Sequence, residues 1–211
     1  VAAAVVPPAM ASTQKSMWTR TVARTSALRG EQNGLTSFSS RDAVARFGEP
    51  CRLTVSCLKV TGALASQIVR RSVGHFEVEG HRLAVIALKR ALVRVRLAVP
   101  DLLPRVRGHM LCCRCIRGGG GSYCRGSYSN HAFGAAIDVT IDGVLDAYGD
   151  GRYQVGLMEM WPHFRAEGFY WGVGFTTEDA MHFEVAKQTW PRWDDEPPVD
   201  PGDVLTAMAI D

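Results

Sequence analysis

Residues 129–138 read Ser-Asn-His-Ala-Phe-Gly-Ala-Ala-Ile-Asp, and residues 179–184 read Asp-Ala-Met-His-Phe-Glu. The two stretches hold two histidines and neighbouring carboxylates in an order that can build a metal site. A catalytic zinc ion usually takes three protein ligands from His, Asp, Glu or Cys and leaves a fourth position for water. His131, Asp138 and His182 would supply that set, so the two stretches predict a zinc centre.

The spacing between the first two candidate ligands constrains the backbone. The steps from His131 to Asp138 would span about 23 Å in a strand and about 10 Å in a straight helix, too far for both residues to bind one ion. We therefore expect the chain to fold back between them. Gly134 can take the positive φ that such a reversal needs, and residues 135–137 predict the start of a buried strand that delivers Asp138.

The second stretch places a further carboxylate near the same ion. Asp179 and His182 are three residues apart, so a helical turn or a tight loop would put both side chains on one face. Zinc lowers the pKa of bound water towards about 7. A carboxylate beside that water can take its proton as the water attacks a carbonyl carbon.

The pattern Ser-x-His-x-x-Gly-x-Ala-x-Asp followed by Asp-x-Met-His-Phe-Glu resembles the zinc peptidases of the D-alanyl-D-alanine carboxypeptidase and L-alanyl-D-glutamate endopeptidase family. These enzymes cut peptidoglycan stem peptides, and the resemblance covers roughly residues 80–187. It implies that one zinc ion is held by His131, Asp138 and His182. It also implies that Asp179 is the general base.

The resemblance assigns further roles around the metal. The family uses an arginine upstream of the first stretch to hold the substrate and polarise its carbonyl group. Arg114 matches this position best, and Arg117 is the alternative. Ser129 is expected at the substrate site, with a hydrogen bond that orients the metal loop. Glu184 is expected to be a supporting residue, because Asp179 occupies the family's base position.

The activity within the family depends on the residue at the base position. The branches that cleave D-alanyl-D-alanine more often carry Glu three residues before the second histidine, so Asp179 favours an L-alanyl-D-glutamate endopeptidase. A D-alanyl-D-alanine carboxypeptidase is the alternative. A non-catalytic, zinc-containing module that binds the cell wall is an alternative of another class, since the same fold occurs in proteins that keep the metal without cutting peptides.

The resemblance implies an α+β fold of the Hedgehog and DD-peptidase type. In this fold a small antiparallel sheet forms the floor of a metal cleft, and helices pack behind it. The periodicity of apolar residues predicts one amphipathic helix over 83–97 and a second helix over 156–167. Strands are predicted at 110–116, where one would carry Arg114 into the site, and at 169–172.

The composition is that of one soluble globular domain with extensions. The 211-residue chain is 46% hydrophobic and 21% charged, and no run approaches the roughly 18 apolar residues of a membrane helix. We expect a flexible lead-in over 1–40, a catalytic domain over 41–190, and an acidic, proline-containing tail over 191–211. The apolar opening, residues 1–9, resembles the end of a secretory signal.

The net charge of +3 hides an asymmetry along the chain. Residues 1–107 carry 17 Lys and Arg against 6 Asp and Glu, whereas residues 108–211 carry 7 against 15. The basic half favours an anionic partner such as the cell wall. No nucleic-acid partner is expected, because no recognised binding motif accompanies the charge. We expect a monomer that is extracellular, periplasmic or wall-associated, or a phage lysin released from the cytoplasm.

Six cysteines leave the redox state open. Four of them, Cys112, Cys113, Cys115 and Cys124, lie within thirteen residues, but their spacing does not form the two Cys-x-x-Cys knuckles of a zinc ribbon. A disulfide from Cys124 to Cys113 or Cys115 would suit an exported protein. Buried free thiols are the favoured interpretation. The remaining two, at 51 and 57, are not expected to pair with each other.

Overall fold

The computed structural model describes residues 16–30, 32–51, 59–116 and 127–202. These residues form a mixture of helices and antiparallel strands, which confirms the predicted α+β class. The helices are α1 Ser40–Phe47, α2 Arg82–Ala98, α3 Val155–Ala166 and α4 Thr189–Asp195. The strands are β1 Thr21–Ala23, β2 Ile68–Ser72, β3 Glu77–His81, β4 Val106–His109, β5 Ala136–Ile141, β6 Val144–Leu145, β7 Arg152–Gln154, β8 Phe169–Trp171 and β9 His182–Val185.

The central sheet has five antiparallel strands. Its order is β4-β5-β9-β8, and β6 pairs with β5 through a tight hairpin. Asp142 and Gly143 turn this hairpin with positive φ values of 52° and 74°. Two smaller antiparallel pairs, β1 with β7 and β2 with β3, lie beside the sheet. The pairing of β5 with β9 brings the two sequence stretches that carry the candidate ligands side by side.

The two long helices lie close to their predicted positions. Helix α2 spans 82–98 where 83–97 was predicted, and α3 spans 155–166 where 156–167 was predicted. The apolar stripe of α2 is fully buried at Leu88, Ala91 and Val95, and α2 packs against α3. Burying such a stripe removes apolar area from water and stabilises the packed pair.

Two predicted strands have different outcomes. The aromatic strand is confirmed as β8, and its three residues are all buried. The strand expected at 110–116 is wrong, because the regular strand β4 ends at His109. Beyond β4 the chain forms isolated bridges instead of a regular strand, and one of them joins Cys115 to Tyr128. Side-chain alternation could not show where backbone pairing stops, because pairing depends on which partner strand lies alongside.

The lead-in predicted as flexible over 1–40 is wrong from residue 16 onward, whereas residues 1–15 lie outside the described part. Strand β1 pairs with β7. The buried side chain of Gln32 donates to the Trp171 carbonyl at 2.8 Å and accepts from the Trp171 N–H at 2.9 Å. Hydrogen bonds from a polar side chain attach this segment to β8. The low content of apolar residues therefore did not indicate that the segment is ordered.

The predicted C-terminal tail also begins inside the packed body. Trp190 and Trp193 on α4 are buried, and Lys89 forms an ion pair with Asp200 at 2.8 Å. The acidic residues that suggested an extended tail lie on the exposed side of α4. No helix within the described ranges is long and apolar enough to cross a membrane.

The expectation of free thiols is wrong. Cys51 and Cys113 form a disulfide, with their Cα atoms 6.6 Å apart. Cys112 and Cys115 are disulfide-bonded as well, and none of the described cysteines is free. Cys57 and Cys124 lie outside the described residues. The pairing of residues 62 positions apart follows from the tertiary fold, so local spacing could not predict it.

Candidate metal centre

Three structural elements deliver the three predicted ligands. His131 lies in a 3-10 turn, Asn130–Phe133, whereas Asp138 lies in β5 and His182 begins β9. Gly134 ends the turn in the left-handed conformation at φ +62°, and its N–H donates to the His131 carbonyl at 3.0 Å. The predicted reversal of the chain at this glycine is thus present.

Strand register places the second and third ligands together. Asp138 and His182 are directly opposite each other in the β5–β9 pair. Side chains opposite each other in an antiparallel pair project from the same face, with Cβ atoms about 4.5–5.5 Å apart. A slip of one residue would turn one of the two ligands to the other face, so the register decides whether a site exists.

The ligand atoms form a nearly equilateral triangle. His131 Nε2 lies 3.0 Å from Asp138 Oδ1 and 3.1 Å from His182 Nδ1, and the third side measures 3.1 Å. Ligands at zinc distances of about 2.0–2.1 Å in a tetrahedral arrangement are about 3.3 Å apart. The described residues contain one group of three or more His, Cys, Asp or Glu side chains with this convergence, and it is this one.

The partners of each histidine fix which nitrogen faces the triangle. His131 Nδ1 lies 2.6 Å from the Met110 carbonyl oxygen, which can only accept, so Nδ1 carries the hydrogen and Nε2 offers its lone pair. His182 Nε2 lies 2.9 Å from Glu184 Oε2 and donates to it, which leaves Nδ1 to face the triangle. Such partners on the far nitrogen are typical of metal-binding histidines.

The electrostatics of the site favour a cation. Burial lowers the pKa of His131, so that its ring is neutral. Burial also disfavours the charged ring of His182, but the carboxylates of Asp138 and Glu184 outweigh this effect and raise its pKa to about 10. Against the opposing effect of burial, the two histidines hold the pKa of Asp138 well below its usual range. The converging acceptor atoms repel one another unless a proton or a metal ion lies among them, so the donor set fits zinc.

Asp179 lies next to this centre. It is half-buried, it lines the same cleft as His182, and its carbonyl accepts the His182 N–H at 3.0 Å. This tight turn is the local geometry that the three-residue spacing predicted. The Asp179 N–H donates to the Gly172 carbonyl at 3.0 Å, which fixes the turn against the end of β8. The position agrees with the assigned role as a base, which remains a prediction.

Comparison with known proteins adds one finding at this point. Residues 124–185 match the D-alanyl-D-alanine carboxypeptidase family. The matched segment contains all three candidate ligands and Asp179, so the resemblance predicted from the two motifs is confirmed there. The match supports a peptidase, and thus a hydrolase, that acts on peptidoglycan. Neither the curated proteins nor the solved structures include a match to this chain.

Two further residues with predicted roles, Arg114 and Ser129, line the cleft. Arg114 lines it with a side chain that is 28% exposed, and its Nη2 lies 3.9 Å from Asp138 Oδ2. Arg117 lies outside the described residues. Ser129 caps the metal turn, and its hydroxyl oxygen accepts the His131 N–H at 3.4 Å. Its predicted orienting hydrogen bond is therefore observed.

The cleft beside the metal centre has a volume of about 470 Å³. Tyr148 and Phe175 provide aromatic surface, and Arg114 is the single Arg or Lys among the described residues that line it. Hydroxyl groups also face the space, and they come from Ser37, Ser39, Ser40, Thr176 and Thr177. Such a mixed lining suits a peptide that carries both amide groups and a carboxylate.

The supporting role expected for Glu184 is confirmed, and the structure adds partners that the sequence did not show. This buried carboxylate contacts the ligand His182 and also binds the segment around Phe38, far away in sequence. One signal was available, because residues two apart in a strand project to the same face. That alternation places Glu184 beside His182, but it does not show the partners from residues 37–38.

Proposed function

We propose that this protein is a zinc metallopeptidase that cleaves peptidoglycan stem peptides, as an L-alanyl-D-glutamate endopeptidase. The observation that carries the proposal is the triangle of His131 Nε2, Asp138 Oδ1 and His182 Nδ1, with sides of 3.0–3.1 Å, at the wall of a cleft that also contains Asp179 and Arg114. The family match over this segment supports the same chemistry.

Each residue has a defined task in this proposal. His131, Asp138 and His182 hold the ion, which supplies a Lewis acid that lowers the pKa of water towards about 7 when it is bound. Asp179 accepts a proton from the attacking water and later donates it to the leaving amine. Arg114 stabilises the negative charge that develops on the oxygen of the scissile carbonyl group.

Two features support the endopeptidase over the carboxypeptidase. The base position holds Asp179 rather than Glu, which resembles the endopeptidase branch. The described lining has one Arg or Lys, Arg114, whose guanidinium lies close to the carboxylate of Asp138. A carboxypeptidase needs a cation for the free terminal carboxylate of its substrate in addition to the group that polarises the carbonyl.

The surroundings of the site support an exported protein. Disulfides form and persist in oxidising compartments, and Cys51–Cys113 joins the residue before Arg114 to the start of the domain. We therefore place the protein outside the cytoplasm, at or near the cell wall, and expect it to act as a monomer. The excess of Lys and Arg in the first half of the chain supports attraction to an anionic wall.

The test is the product formed from purified peptidoglycan. The zinc-loaded protein should release fragments with a new N-terminal D-Glu, detected by mass spectrometry, whereas released D-Ala would establish the carboxypeptidase. Asp179→Asn should lower the rate by several orders of magnitude and retain zinc. Glu159→Gln, on the exposed side of α3, is the matched control and should keep full activity. Zinc binding without any product from the wild type would instead support the wall-binding module.

A further inference from the structure

A second group of buried polar side chains includes Glu178, the residue directly before Asp179. The loop that connects β6 to β7, residues 146–151, folds over Glu178. Gly149 N–H donates to the Glu178 carbonyl at 3.0 Å, and Gly151 N–H donates to Glu178 Oε2 at 3.0 Å. At the end of this loop Gln154 Nε2 reaches back to the Val144 carbonyl at 3.3 Å. These contacts hold the segment that carries Asp146 and Gln154 against Glu178. We call the side chains of Asp146, Gln154 and Glu178 the oxygen cluster.

The oxygen cluster is deeply buried. Asp146 is 4% exposed, Glu178 is 2% exposed and Gln154 is 1% exposed. No hydrogen-bond donor among the described residues reaches Asp146 Oδ1, Asp146 Oδ2, Gln154 Oε1 or Glu178 Oε1. Buried acceptors without a donor cost free energy, and a buried carboxylate without a partner costs more. Four such oxygens, on the three side chains of the oxygen cluster, point to a ligand that accepts electron pairs.

The described residues supply no cation for these carboxylates. Within the described ranges, neither Asp146 nor Glu178 forms a salt bridge. The guanidinium of Arg24 donates to the carbonyls of Val173 and Phe175. The guanidinium of Arg152 donates to Thr21.

The acidic groups also repel one another. Burial is the largest cause that raises the pKa of Asp146, to about 7, and the charges of Asp150, Glu178 and Asp179 raise it further. The backbone N–H of Gln154 opposes this shift, but it does not reach hydrogen-bonding geometry with either oxygen of Asp146. A bound dication would relieve this repulsion.

We propose that Asp146, Gln154 and Glu178 form a second metal site, separate from the zinc centre, that binds calcium. All of its donors are oxygens, which hard cations prefer, whereas the zinc centre has two nitrogen donors. Calcium takes six to eight oxygen ligands in flexible geometry and accepts a bidentate carboxylate such as Asp146 offers. Two carboxylates balance its charge, and water completes the coordination.

The ligand count sets the expected affinity. With only two carboxylates, the site belongs with the weak calcium sites of extracellular modules, which have Kd values of about 10⁻⁴–10⁻³ M. Glu178 directly precedes Asp179, so a bound ion would also anchor the turn that carries the proposed base. The calcium site itself does not depend on the proposed peptidase activity.

The test uses the zinc-loaded full chain in calcium-free buffer at pH 8, titrated with calcium chloride by calorimetry and by thermal unfolding. The wild type should bind one calcium ion and unfold at a higher temperature as calcium is added. Asp146→Asn and Glu178→Gln should each weaken binding at least about tenfold. The exposed Asp142, in the preceding hairpin, provides the control, and Asp142→Asn should bind calcium like the wild type.

Each outcome decides the proposal. If the wild type shows neither heat nor a thermal shift up to about 10 mM calcium, well above the expected Kd, the cluster holds a neutral Asp146 and the proposal is wrong. Binding that Asp146→Asn and Glu178→Gln both leave unchanged would place the ion elsewhere and would also overturn it. Zinc content and near-ultraviolet circular dichroism test whether each variant keeps the fold. If Asp146→Asn fails to fold, the calcium affinity of Glu178→Gln tests the proposal.

Discussion

His182 Nε2 donates to Glu184 Oε2 at 2.9 Å, and this buried carboxylate has three further donors. Asn130 Nδ2 donates to the same oxygen at 2.8 Å, whereas Ser37 Oγ and the Phe38 N–H donate to Oε1 at 2.6 and 3.0 Å. One carboxylate thus joins a candidate metal ligand to the segment before α1. Because its donors are complete, Glu184 remains ionised in the interior, and its pKa lies below the usual range despite burial.

Replacing this carboxylate should weaken metal binding without unfolding the protein. Glu184→Gln keeps the size of the side chain but removes the negative charge that orients and polarises His182. We expect zinc affinity to fall by about 10- to 100-fold, as is typical when the partner of a ligating histidine is lost. Competition with a chromogenic chelator measures the change. Glu159→Gln serves as the exposed control, and equal zinc affinity of Glu184→Gln and wild type would contradict the role.

The glycine of the metal turn should tolerate no side chain. A Cβ at Gly134 would lie 2.5 Å from the His81 backbone nitrogen and 2.8 Å from Gly80 Cα. Gly134→Ala should lower the free energy of unfolding by about 2–4 kcal/mol, because strain at positive φ adds to this clash. Gly143 also has a positive φ, but nothing lies within 4 Å of its added Cβ. Gly143→Ala should therefore cost about 1 kcal/mol.

Denaturant unfolding of the two alanine variants separates these effects. Both substitutions impose the left-handed conformation on alanine, and only Gly134→Ala adds the collision with the backbone of β3. Equal destabilisation of the two variants would mean that the turn can move away from β3, contrary to the prediction.

Zinc binding should release a proton. In the metal-free protein the carboxylates of Asp138 and Glu184 overcome the effect of burial and raise the pKa of His182 to about 10. A nitrogen must lose its proton to bind metal. Binding at pH 7 should therefore release about one proton, and zinc affinity should rise by up to about tenfold per pH unit below pH 10. Calorimetry in buffers of different ionisation enthalpy measures this number.

The same shift has a consequence for the metal-free fold. Since the folded pKa of His182 is raised above its ordinary value of 6.5, its contribution to stability is complete below pH 6.5 and is lost as the pH rises through about 10. In the zinc titration, a binding enthalpy that is the same in every buffer would show that His182 is already neutral at pH 7.

Asp146 should make stability fall with rising pH in the same direction as His182, but over a lower pH range. Burial first, and then the neighbouring carboxylates, raise its folded pKa from 3.8 to about 7. Between these values the unfolded chain is ionised while the native carboxyl keeps its proton, so the wild type loses stability as the pH rises. In calcium-free buffer, the free energy of unfolding of Asp146→Asn should therefore rise relative to that of the wild type by up to about 1.4 kcal/mol per pH unit between about pH 4 and 7. If the difference in unfolding free energy between the two proteins stays constant over this pH range, the raised pKa of Asp146 is contradicted.

The candidate metal ligands were predictable from the sequence, because each of the two motifs that carry them has its own short spacing. The positions of His131, Gly134 and Asp138 require a reversal, and Gly134 makes it at φ +62°. The three-residue step from Asp179 to His182 requires a turn, and the turn is present. The amphipathic period of α2 was equally visible, since burial of one helical face is a property of neighbouring residues.

Only the tertiary structure decided which residues far away in sequence contact these motifs. Four features depend on parts of the chain that are not neighbours in sequence. They are the register that sets Asp138 opposite His182, the contact of Ser37 with Glu184, the disulfide from Cys51 to Cys113 and the burial of Asp146. Such contacts depend on how complete elements pack, and many sequences satisfy the same local pattern. For this reason the sequence by itself determined the metal-binding motifs, whereas the fold determined their supports, the cleft and the oxygen cluster.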